Sequence, residues 1–249
     1  MVRPGPALPT RSPLRQTKQQ GFATIPRMGT LYLVRHGQAS FGAADYDQLS
    51  PLGQQQCQQL GRYFRARGRR FAAVITGTLR RQVQSQQAIA DGLGEAQDPL
   101  RLPGLNEYDS HAVIAAVHPQ PLARPDTPAL YRAHFQLLRQ GLGAWMAGQT
   151  APAGMPSYPD FVAGVRDALD RARATPEGDV LLVSSGGPIA TAVGLVLGTP
   201  AETTIDLNMR IRNSAVTEFV FSAKRHNLLS YNTLPHLDGD EFAGWATYT

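Results

Sequence analysis

Three short apolar runs, each handing over to a turn and then to a helical pattern, restrict this chain more than any other feature of its sequence. The runs at 30–34 (Thr-Leu-Tyr-Leu-Val), 71–76 (Phe-Ala-Ala-Val-Ile-Thr) and 179–184 (Asp-Val-Leu-Leu-Val-Ser) are shorter than buried helices and apolar at consecutive positions, as in strands covered on both faces. Helical patterns succeed them near 51–68, 79–93 and 188–197. Strand, helix and next parallel strand join through right-handed crossovers, so the expected fold class is α/β, a three-layer α/β/α sandwich with a mostly parallel central sheet. With 249 residues and 42% hydrophobic content the chain can fill one such core. Asn213–Phe221 and Asn227–Tyr231 alternate in polarity across a basic turn and predict a closing hairpin or edge pair.

The chemistry sits in the segments just past the strand ends. The first strand ends in Arg35-His36-Gly37. An imidazole can accept a phosphoryl group on a ring nitrogen, provided that the phosphate charge is neutralised, and an adjacent guanidinium matches phosphate oxygens bidentately. Gly37 lets the backbone turn sharply, and strand ends are where open α/β sheets place ligands. Ser50 and Pro51 read as the N-cap and first turn of a helix. The second strand feeds a loop and helix carrying Arg80 and Arg81, and Leu105-Asn106-Glu107 comes after a Pro-Gly turn. The third strand ends in Ser184-Ser185-Gly186-Gly187-Pro188, whose glycines are either plain turn residues or a place where backbone N–H groups face an anion.

The order of these segments resembles the histidine phosphatase superfamily, the phosphoglycerate mutase-like proteins, over roughly residues 28 to 233. The resemblance implies a phosphorylated first-strand histidine, the arginine before it, a second arginine in a segment like Ser-Pro-Leu-x-Arg-Ala-x-Gln-Thr-Ala, a glutamate proton donor, and a second histidine in Val-Ser-His-Gly-Gly. Arg35, His36, Arg81 and Glu107 match, and are the expected catalytic residues; Gly37, Gln38, Ser185, Gly186 and Gly187 are the expected substrate-binding residues. The second histidine is replaced by Ser185, a hydroxyl without positive charge. Hydrogen bonds to charged groups contribute roughly 1.5–3 kcal/mol, so this loss corresponds to about a ten- to hundredfold slower reaction. If the imidazole also orients the nucleophile, the loss is larger.

The resemblance thus implies a phosphatase that hydrolyses a phosphomonoester through a phosphohistidine on His36, acting on a small phosphorylated substrate. The alternative is a pseudoenzyme that binds phosphate or a phosphorylated partner with little or no turnover. A glycolytic mutase fits less well, because Glu107-Tyr108-Asp109-Ser110-His111 lacks that branch's longer signature and Gly42 supplies no side chain where an asparagine is usual. His111, four residues beyond Glu107, is a candidate for the missing imidazole if its segment is helical, against the plainer reading of a solvated loop histidine. His118, His134, His226 and His236 lack partners at metal-ligand spacing, so no metal and no cofactor are expected. Ser185 is not set in a Gly-x-Ser-x-Gly elbow, which excludes a serine hydrolase.

Residues 109–160 read as an inserted helical lid, with a helix over Ala129–Met146. Tyr131, Phe135, Trp145 and Tyr158 are either its apolar walls or core. The net charge of +5 comes from five basic residues, Arg3, Arg11, Arg15, Lys18 and Arg27, in a proline-rich leader over 1–27, which leaves the 28–249 domain neutral and no case for nucleic acid. That leader reads as disordered, and Met28 is an alternative translation start. The single cysteine, Cys57, reads as helix packing in a reducing compartment, no apolar stretch reaches the ~20 residues of a membrane span, and a cytoplasmic location is expected.

Overall fold

The computed structural model describes Met1 and residues 29–40, 47–122, 127–175 and 178–248. Apart from Met1, the leader and Met28 lie outside the described residues, as does Gly42. The strands are β1 (Gly29–Arg35), β2 (Phe71–Thr76), β3 (Leu100–Arg101), β4 (Asp179–Ser184), β5 (Val216–Phe221) and β6 (His226–Thr233). The helices are α1 (Pro51–Ala66), α2 (Arg80–Leu93), α3 (Ser110–Ala115), α4 (Pro128–Met146), α5 (Tyr158–Arg173), α6 (Gly186–Leu197) and α7 (Ala201–Met209).

The apolar runs lie side by side at the centre of a six-stranded sheet of order β3-β2-β4-β1-β5-β6. β1, β2, β3 and β4 are parallel, with Leu33 opposite Leu182 and Arg35 opposite Ser184. β5 runs antiparallel to β1 and forms the expected hairpin with β6. Side chains alternate between faces, so Leu31, Leu33 and Leu182 enter one core with α5 and α6, while Tyr32, Val34 and Val183 enter the other against α1 and α2. On the second face Tyr32, Phe64 and Phe71 pack edge to face with centroids 5.2–5.7 Å apart. Cys57 is buried in that same face, in α1. The sandwich expected from the sequence is the one observed.

Local chemistry fixes the helix starts. Ser50 accepts a hydrogen bond from the Gly53 N–H at 3.0 Å, with Pro51 at the first helical position. Asp109, Thr127 and Ser157 cap α3, α4 and α5 in the same way. α6 begins at Gly186, two residues ahead of the expected start, because the chain turns into helix directly from β4.

The insertion divides between surface and core. Leu138, Leu142 and Trp145 in the second half of α4 are buried, and Trp145 stacks edge-on with Tyr158 and Phe161 at 5.1 and 5.2 Å. Trp145 and Tyr158 therefore belong to the core. Tyr131 and Phe135, in the first half of α4, remain exposed. No helix among the described residues is long and apolar enough to cross a membrane.

Candidate active site

β1 and β4 end side by side, and their pairing continues one step further: the His36 N–H donates to the Ser184 carbonyl at 2.8 Å. The His36 carbonyl accepts from the Ser214 N–H at 3.2 Å and from Asn213 Nδ2 at 3.4 Å, so the backbone is held from both sides. The imidazole is 2% exposed. Its Nδ1 lies 2.7 Å from the Gly37 carbonyl. A carbonyl only accepts, so Nδ1 carries the hydrogen and Nε2 keeps the lone pair. Arg81 Nε donates to that Nε2 at 3.2 Å. Burial first, then the charges of Arg35 and Arg81, hold the His36 pKa well below the ordinary histidine value, and the ring is neutral near pH 7.

Each guanidinium is anchored. Arg35 Nη1 donates to the carbonyls of Ile211 and Tyr248 at 2.6 and 3.2 Å. Arg81 Nη1 meets Asp47 Oδ1 at 2.6 Å. The other carboxylate oxygen of Asp47 accepts the Arg80 backbone N–H at 2.9 Å, so this acid also caps α2, where Leu79 has no side chain able to do so.

Glu107 stands across the cleft. Its two oxygens accept the Gly187 N–H at 3.0 and 3.2 Å. Desolvation raises its pKa above the ordinary carboxylate value, outweighing the opposite pull of Gly187 and of the two arginines. The cleft thus holds a neutral imidazole with its lone pair on Nε2, two fixed cations and an acid biased toward its protonated form.

Arg35, His36, Arg81 and Glu107 line one cleft of about 280 Å³, together with Tyr108, His134, Phe135 and Tyr248. The expected binding residues take other places. Gly37 packs on α1, where an added Cβ would fall 2.4 Å from the Gly53 carbonyl oxygen, and its N–H donates to Ser85 Oγ at 3.0 Å. Gln38 accepts from Ser50 Oγ at 2.8 Å. The Gly187 N–H is given to Glu107, and Ser185 is fully buried with its Oγ 2.8 Å from Gln82 Nε2. These residues, with Gly186, back the cleft and are absent from its lining.

His111, the candidate for the missing imidazole, has a side chain 93% exposed and sits 3.8 Å from Asp109, in keeping with the plainer reading of a solvated histidine. His134 lines the cleft instead, and burial together with the nearby His111 lowers its pKa. Metal-ligand spacing was the wrong test for His134; its place on α4 next to Phe135, one turn before Leu138, was the usable signal. Asp47 and Asn213 carry no such signal, because only the fold brings them to Arg81 and His36. Among the described residues no group of His, Cys, Asp and Glu is arranged to hold a metal ion.

A family model described as the histidine phosphatase superfamily (branch 1) matches residues 31–234. The chain belongs to the histidine phosphatase superfamily. No curated protein matches it. Solved structures of the same fold include a mycobacterial glucosyl-3-phosphoglycerate phosphatase, at 21% identity and TM-score 0.58, covering 83% of this chain and 100% of that one. A phosphoserine phosphatase from Entamoeba histolytica, in complex with 3-phosphoglyceric acid, aligns at 19% identity and TM-score 0.58, covering 84% and 99%. A phosphoglycerate mutase from Bacillus anthracis aligns at 16% identity and TM-score 0.59, covering 85% and 96%. This member of the histidine phosphatase superfamily therefore shares its fold with both phosphatases and mutases, and the choice between those activities rests on its own cleft.

Proposed function

We propose that this chain is a phosphomonoester hydrolase working through a phosphohistidine on His36. The observation that carries the reading is the His36 ring itself: Nδ1 is committed to the Gly37 carbonyl, which leaves the Nε2 lone pair facing a cleft flanked by Arg35 and Arg81. A phosphoryl dianion entering between the guanidiniums draws Arg81 off Nε2 and onto its own oxygens. Nε2 then attacks phosphorus as the ester P–O bond breaks, and Glu107 gives its proton to the departing alcohol oxygen. Water next attacks phosphorus, its proton passes to the Glu107 carboxylate, and the P–N electron pair returns to Nε2. Inorganic phosphate leaves and the acid is again protonated.

Tyr108, Phe135, Leu138 and Met209 border the same cleft, so the alcohol is expected to present an apolar face to them. The substrate in this reading is a small phosphorylated molecule, and transfer to water is favoured over mutase chemistry. His36-dependent phosphate release from p-nitrophenyl phosphate tests the reading. The wild type is expected to exceed His36→Ala by at least about a thousandfold and to form an acid-labile, alkali-stable phosphoenzyme. Equal rates in the two proteins would sink the mechanism.

A second reading has one observation behind it. Ser185 is buried against Gln82, so its position contributes no cation to the cleft. A pseudoenzyme would bind phosphate through Arg35 and Arg81 without turnover. It is favoured if isothermal titration detects inorganic phosphate while no phosphoenzyme forms with any of a panel of phosphorylated metabolites.

A further inference from the structure

We infer that Gln82 and Ser185 are a matched pair that replaces an alanine–histidine pair, with Gln82 acting as a positioning residue for Glu107. The family segment Ser-Pro-Leu-x-Arg-Ala has alanine directly after the second arginine, and this chain has Gln82 there; the same chain has serine at the second histidine's place. The two positions are in contact. Gln82 Nε2 donates to Ser185 Oγ at 2.8 Å and to the Leu105 carbonyl at 2.8 Å, while Oε1 accepts the Leu79 N–H at 3.3 Å. Every polar atom of the amide is thereby used, and both side chains are fully buried.

Bulk has moved across this contact without changing in amount. Glutamine plus serine has the same number of side-chain heavy atoms as alanine plus histidine, and interiors packed at crystal density tolerate such exchanges only when they are paired. The surroundings fit Gln82 in particular: a Cβ added at Gly77 would lie 1.9 Å from its Oε1. A histidine at 185 that kept serine's rotamer would begin its ring 2.8 Å from an amide nitrogen.

The pair also reaches the acid. Leu105 stands two residues before Glu107, and its carbonyl accepts from both Gln82 Nε2 and Ser184 Oγ at 2.8 Å. Gln82 therefore ties the start of α2 and the Glu107 segment, which both line the cleft, to the β4–α6 turn behind them.

A four-member cycle of wild type, Gln82→Ala, Ser185→His and the double variant tests this, with melting temperature and phosphate release measured on each. Ser185→His alone is expected to melt well below wild type and to lose at least tenfold in kcat. The double variant is expected to recover the melting temperature and to exceed Ser185→His at least tenfold in kcat. Gln82→Ala alone is expected to lower kcat about tenfold with KM unchanged and to move the alkaline limb of the pH–rate profile set by Glu107, which a merely structural role would leave in place. The kinetic arms rest on the hydrolase reading, and the melting arm does not. Additive melting shifts, or a double variant that fails to fold where Gln82→Ala folds, would overturn the pairing even if His36-dependent hydrolysis is present. Non-additive melting without any His36-dependent hydrolysis would uphold the pairing and discard the hydrolase.

Discussion

Glu107 illustrates how a single side chain's environment decides its role. Burial raises its pKa against two cations and two backbone donors, the Gly187 and Tyr108 N–H groups, so it holds its proton to higher pH than a solvated carboxylate. As a general acid it would be active below that raised value, with turnover falling as pH climbs through it. Glu107→Gln is expected to reduce kcat about 10²–10⁴-fold on alkyl phosphates and much less on p-nitrophenyl phosphate, whose leaving group needs no proton, and to abolish the alkaline limb. Comparing the two substrates across pH checks this. Asp47 acts one step back, by holding the Arg81 guanidinium at 2.6 Å while capping α2. Its carboxylate is 38% exposed, so the pair contributes at most about 1 kcal/mol, and Asp47→Asn is expected to raise KM roughly two- to fivefold with kcat nearly unchanged.

At the scale of elements, the α1–α2 crossing shows packing overriding helix propensity. Gly61 faces the Ile89 carbonyl oxygen and Gly92 faces that of Gln58, each at 2.1 Å from where a Cβ would be. Alanine is the better helix former by about 1 kcal/mol, yet Gly92→Ala would force two backbones apart. A net loss of about 1–3 kcal/mol is expected from urea unfolding. An unchanged or increased midpoint would mean that the helices separate freely. This crossing supports the site, because α1 carries Gly53 against Gly37 and α2 carries Arg81 to His36.

For the whole molecule, burial favours the neutral form of four described histidines. The His36 pKa is well below its ordinary value and that of His134 is also lowered, while that of His226 falls to about 4 and that of His236 to about 3, burial being the largest cause each time. A base with a depressed folded pKa stabilises the native state fully above its unfolded value near 6.5, and this stability is lost as pH falls from there toward the folded value. Glu107, raised in the fold, works in the opposite sense, contributing at low pH and losing its contribution as pH rises past its raised value. Four groups outweigh one, so the melting temperature is expected to fall steadily from about pH 6.5 to about pH 4. His236 is 3% exposed and its Nδ1 has no hydrogen-bond partner among the described residues, so His236→Gln should flatten part of that fall. A flat profile in the wild type would show that these rings are solvated.

The sequence alone determined whatever depends on local order. Consecutive apolar residues set β1, β2 and β4, Ser50-Pro51 set the start of α1, strand-end chemistry pointed to Arg35 and His36, and the family resemblance added Arg81 and Glu107; the four share a cleft. Residues acting through long-range contact stayed hidden. Asp47, Asn213, Gln82 and His134 are ordinary in their own segments and gain meaning only from partners dozens of residues away. Tertiary structure also decided whether α4 covers the site or fills the core, since one amphipathic pattern serves both and only packing around Trp145 separates them. Ser185 is the clearest case: by itself a missing imidazole, it becomes half of a contact with Gln82 once close packing places the two side by side.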